Sequence, residues 1–131
     1  MSPTTPPTPP TDAEIDILQV LWDRGPSSVR EVYAAISGAK TVGYTTVLKQ
    51  MQVMLQKGLL SRSERFRSHV YEALEDRARL QRHFASHLMT RLFDGSAHSL
   101  LQSALAGRRV SAKELADIRR ILVAYGRKVK P

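Results

Sequence analysis

Between Tyr44 and Lys57 the chain gathers hydroxyls, amides and ammonium groups and omits carboxylates. At about 100° per residue, Val47, Leu48, Met51, Met54 and Leu55 fall in one helical sector. Thr45, Thr46, Lys49, Gln50, Gln52, Gln56 and Lys57 fill the opposite side. The chemistry this permits is recognition. Amides and hydroxyls match the donors and acceptors of base edges in a major groove, and a surface without Asp or Glu does not repel phosphate. An ordinary solvent-facing helix mixes Glu with Lys, yet no acid occurs from Lys40 to Ser63. Val53 stands within the polar side. It suits contact with a thymine methyl group, and equally an ordinary exposed valine.

Bond-making chemistry finds no comparable pattern. His83 and His87 have the i, i+4 spacing of metal ligands. Phe84 sits where an HExxH motif needs Glu, and only Asp94 or His98 offers a third ligand. Two surface histidines near an interface is the simpler account, so no metal is expected. Gly38-Ala39-Lys40-Thr41 lacks the leading glycine and adjacent Gly-Lys of a phosphate loop. There is no G-x-S-x-G motif and no cysteine. These patterns predict no enzyme, no cofactor and no small-molecule substrate.

The elements that position the polar helix follow from caps and periodicity. Thr11 with Glu14, Ser28 with Glu31, and Ser111 with Glu114 each form a capping-box pattern. The first opens a helix with Ile15, Leu18, Leu21 and Trp22 inward, stopped by Gly25-Pro26. The second opens a helix carrying Val29, Val32, Tyr33 and Ile36 on one face. The polar helix closes at Gly58. Leu59 to Glu64 and His69 to Leu74 are β-leaning runs joined by the tip Arg65-Phe66-Arg67-Ser68. The expected fold is mainly α with a small β-hairpin: a winged helix-turn-helix over residues 12–75, after a disordered Pro/Thr tail over 1–11.

Residues 76–131 read as a helical dimerisation region. Leu80, Phe84, Leu88 and Leu92 mark one helix; Leu100, Leu101 and Leu105 a second; Leu115, Ile118, Ile121 and Leu122 a third. These helices are too small for an independent core, so a second copy is the natural cover for their stripes. Folding back on the winged domain is the alternative.

Charge is uneven along the chain. The 131 residues carry a net +8, which favours polyanionic partners. Residues 1–39 hold two basic side chains against five acidic, whereas residues 40–67 hold six against one. The positive field therefore lies on the polar helix and the hairpin. Lys40, Tyr44, Lys57, Arg62, Arg65, Arg67 and His69 are the expected phosphate contacts, with a solvated hairpin tip as the plainer reading of its arginines. No apolar run is long enough to span a membrane, and the N-terminus lacks a signal-peptide layout. A cytoplasmic location is expected. Double-stranded DNA is the favoured partner. Because residues 1–75 are net neutral, an alternative is a protein-interaction adaptor on the same scaffold. A membrane-surface helix over 108–130 conflicts with Glu114 and Asp117.

Leu18 to Gly25 (LQVLWDRG), Tyr44 to Leu60 (YTTVLKQMQVMLQKGLL) and His69 to Ala73 (HVYEA) resemble the penicillinase-repressor family of BlaI, MecI and CopY type. The resemblance runs from about Thr11 to Leu122. It implies a homodimeric winged-helix repressor on a palindromic operator, released when a membrane-bound sensor metalloprotease triggers proteolysis. It also implies base readout by Thr45, Thr46, Lys49 and Gln52. Val53 stands where many members carry Arg, and the cysteine pairs of copper-responsive members are absent. The run Ser99 to Leu105 resembles the family's cleavage segment, which implies a scissile bond near Ser103-Ala104.

Overall fold

A computed structural model describes residues 9–129. Residues 1–8, most of the expected tail, lie outside the described residues. Among those described, the order is α1 (Asp12–Arg24), α2 (Val29–Ser37), α3 (Tyr44–Lys57), β1 (Leu60–Arg65), β2 (Ser68–Ala73), α4 (Arg77–Leu92), α5 (Ala97–Leu105) and α6 (Ala112–Gly126). This is the winged helix-turn-helix with a helical region after it.

The helix starts follow from side-chain caps. Thr11 Oγ1 accepts the Glu14 N–H at 3.2 Å, while Glu14 Oε1 accepts the Thr11 N–H at 2.9 Å. Ser28 and Glu31 repeat the reciprocal pair at α2. Each satisfies two helix-start donors that otherwise lack partners. At α6 only half the box forms: Ser111 Oγ accepts the Glu114 N–H at 3.0 Å. α3 ends where Gly58 adopts φ 85°, a left-handed conformation that other residues enter at a cost. The turn lets Leu59 N–H reach back to the Met54 carbonyl at 3.0 Å and drops Leu59 and Leu60 into the core.

The chain divides into two compact units, residues 1–86 and 87–131. The first is built around Ile17, Leu18 and Leu21 of α1, Val29 and Val32 of α2, Val47, Met51 and Met54 of α3, with Tyr71 and Leu80. Each fully buried side chain of this size contributes about 1.5–3 kcal/mol. Ile17, at 2% exposure, takes the inward place assigned to Ile15, which is 37% exposed. Leu80 and Phe84, assigned to dimerisation, pack instead in and against this core. The start of α4 is fastened there: Trp22 Nε1 donates to the Glu75 carbonyl at 3.0 Å, and Arg77 lies over the Trp22 ring and reaches Asp23 at 2.7 Å.

The strands pair antiparallel from Leu60 opposite Ala73 to Arg65 opposite Ser68. Ser27 adds a bridge, exchanging two backbone bonds with Tyr71 at 2.8 and 2.9 Å. The hairpin tip is two residues rather than four. Phe66 and Arg67 hold φ 53° and 64°. Left-handed backbone costs a residue with a side chain roughly 1–2 kcal/mol, and Asn-Gly is the usual cheap solution. The missing Asn-Gly signal is why the turn looked longer in sequence.

In the second unit no residue of α5 or α6 is buried. Leu100, Leu101, Leu105 and Ile118 are half-buried, while Leu115, Ile121, Leu122 and Tyr125 are exposed. Ser103 and Ala104 are exposed on α5, and Leu88 and Leu92 on the last turns of α4.

Candidate nucleic-acid interface

α3 is anchored by its apolar side. Val47, Met51 and Met54 are at most 2% exposed, and Leu48 and Leu55 are half-buried beside them. That fixes the other side outward. Thr45, Thr46, Lys49, Gln52 and Val53 are all exposed; Gln50 is half-buried in a cleft with Asp16, Lys40 and Val42. The outward crest is therefore Thr45, Lys49 and Gln52, with Thr46 and Val53 on its α1 flank.

The hairpin stands on the other flank. An open cleft of about 410 Å³ is lined by Tyr44, Leu48 and Gln52 from α3 and by Arg62, Ser68 and His69 from the hairpin. Sequence reasoning placed these on separate elements; the fold brings them to one surface. Tyr44 is held by a T-shaped contact with Tyr33, ring centroids 5.8 Å apart, and by Arg30, whose guanidinium lies 5.0 Å from the Tyr44 centroid. Arg30 lines the same cleft and was not singled out in the sequence, because it lies in the acidic first third.

The cations expected to meet phosphate separate into two groups. Lys57 Nζ bonds Glu14 Oε2 at 2.8 Å, and Lys40 is bridged to Asp16. Glu14 is 3% exposed. Burial alone would raise its carboxyl, but bonds from Lys57 and the Thr11 N–H, with the Lys57 charge, outweigh burial and hold it below the ordinary carboxylate range. The hydrogen bond to Asp16 raises Lys40. By contrast, Lys49, Arg62, Arg65 and Arg67 have no hydrogen-bond or ion-pair partner among the described residues. Arg65 acts only through space, as one of the charges that lower Glu31, after its bond from the Ser28 N–H. The unpaired cations are those on the crest and the hairpin.

The penicillinase repressor pattern matches residues 10–124, most of the chain. The chain belongs to the penicillinase repressor family. A penicillinase repressor of Bacillus licheniformis is 22% identical over 120 residues, covering 92% of this chain and 94% of the relative. A transcriptional regulator BlaI of Mycobacterium tuberculosis is 31% identical over 114 residues, covering 85% and 80% respectively. Penicillinase repressors are transcriptional regulators, not enzymes. No helix among the described residues is long and apolar enough to cross a membrane, and none of their acidic or histidine side chains group as a metal site. His83 Nδ1 instead lies 3.4 Å from the Glu75 carboxylate.

Proposed function

We propose that the chain represses transcription as a cytoplasmic homodimer, each protomer setting α3 into the major groove of one half of a palindromic operator. The observation that carries this is the crest of α3: exposed, rich in amides and hydroxyls, without a carboxylate, and beside a hairpin whose arginines are unpaired. Thr45, Thr46, Lys49 and Gln52 read base edges, with Gln50 and Val53 at the margin of the read surface. Tyr44, Arg62, Arg65, Arg67 and His69 meet the phosphate strand beside the groove. Lys40 and Lys57 contribute less. Each ammonium has three donors, but one is already committed to α1.

The exposed apolar residues of α6, with the half-buried leucines of α5 and the exposed leucines at the end of α4, form the twofold contact. Two readers on that axis meet half-sites one helical turn, about 10 base pairs, or a multiple apart. Repression ends when a membrane-bound sensor protease leads to cleavage near Ser103-Ala104, which detaches α6 from the reader and removes the dimer.

Salt titration of duplex binding tests the interface. Three unpaired arginines at the phosphates in each protomer, Arg62, Arg65 and Arg67, give six per dimer, so the logarithm of affinity should fall against that of salt with a slope on the order of −5. A flat response would favour the protein-interaction adaptor.

A further inference from the structure

In the first unit every aromatic ring but one lies in or against the core: Trp22, Tyr33, Tyr44, Tyr71 and Phe84. Phe66 is 93% exposed. It occupies the hairpin tip at φ 53°, where Asn or Gly would sit more easily. The fold thus accepts backbone strain to display a large apolar ring that is almost wholly exposed. Arg65 and Arg67 flank it, both unpaired. The nearest carboxylate along the strands, Glu64, stands one register step back, opposite His69.

We propose that Phe66 is a wedge that the hairpin delivers into the minor groove next to the stretch read by α3, partly unstacking one base step. This rests on the duplex-binding function above and adds a residue that sets specificity. Reach supports it. β1 runs six residues from the buried Leu60 to Arg65, roughly 17–20 Å at about 3.3 Å per residue. The half-repeat separating a major groove from the adjacent minor groove is about 17 Å of the roughly 34 Å turn. Charge supports it too: arginines favour the narrow, negative minor groove, and an apolar side chain between them is the arrangement that kinks a duplex by entering a step. The steps that yield most easily are pyrimidine–purine, so Phe66 confers a preference for TA or CA/TG at a fixed distance from the bases that Lys49 and Gln52 touch.

The test uses the full chain and duplexes it enriches from a randomised pool, with 2-aminopurine placed at successive positions. Wild type should raise fluorescence at one step in each half-site. Phe66→Ala should abolish the rise and weaken binding roughly three- to tenfold. Phe66→Asn, suited to the left-handed turn, should lose the rise equally while its thermal midpoint does not fall, which separates the wedge from a weakened hairpin. Unchanged affinity in both variants, or weaker binding without any fluorescence change in wild type, would overturn the wedge. So would a loss confined to binding of phosphatidylglycerol vesicles, which would assign the ring to a lipid surface. Failure of wild type to enrich any duplex would instead remove the DNA-binding function itself.

Discussion

Up to Ser86, most large apolar side chains are spent inward: Ile17, Leu18, Val32, Val47, Met51 and Met54 are each at most 2% exposed, with Phe66 the main exception. Beyond His87 the same residue types face out: Leu92, Ile121, Leu122 and Tyr125 are between 55% and 70% exposed. The first unit has a core that holds α3 and the hairpin rigid, as a reading surface requires. The second has its burial still to gain. An amphipathic helix that leaves its stripe in water forgoes about 1.5–3 kcal/mol per large side chain, and a twofold partner supplies complementary stripes. Under the proposed function, reading and assembly fall to different units, so each should fail without the other.

The largest effect should come from the second unit. Replacing Ile121 and Leu122 together by Asp should convert the protein to a monomer by sedimentation, and its affinity for a two-half-site duplex should fall by roughly 10²–10⁴ as the linked second contact is lost. Urea unfolding of the first unit should change little. A dimer that survives the double substitution would show that α6 is not the assembly face.

A smaller effect, confined to the first unit, concerns the Glu14–Lys57 pair. Lys57→Met should lower stability by about 1–2 kcal/mol, since Glu14 keeps its Thr11 bonds but loses its ion partner. A carboxyl held low when folded binds protons more weakly than it does unfolded. Its contribution is whole at neutral pH and drains away as pH falls below the ordinary carboxylate range. Glu14→Gln should remove that part of the acid sensitivity. Equal acid sensitivity in Glu14→Gln and wild type would detach the pair from stability.

Much of this was legible in the sequence because caps and periods are local. Thr11 with Glu14 and Ser28 with Glu31 marked helix starts that the structure reproduces, and Gly58 marked the end of α3. What escaped was decided by contacts between distant residues. Ile15 and Ile17 both suit an apolar stripe; only the packing of α2 and α3 chooses Ile17. Leu80 shares a stripe with Phe84 and Leu88, yet the Trp22 and Arg77 contacts hold the start of α4 against the first unit. Lys40 and Lys57 looked as available to phosphate as Lys49, because their partners Asp16 and Glu14 lie 24 and 43 residues away.

The crest of α3 decides whether the protein reads DNA as proposed, and Lys49→Ala probes it most directly. The readout is the ratio of affinities for an enriched duplex and its scrambled counterpart. Losing a base contact at this position should reduce that ratio by roughly five- to a hundredfold, with the far-UV spectrum and unfolding midpoint unchanged. A ratio equal to that of wild type would show that the exposed ammonium reads nothing and that the groove-facing surface lies elsewhere.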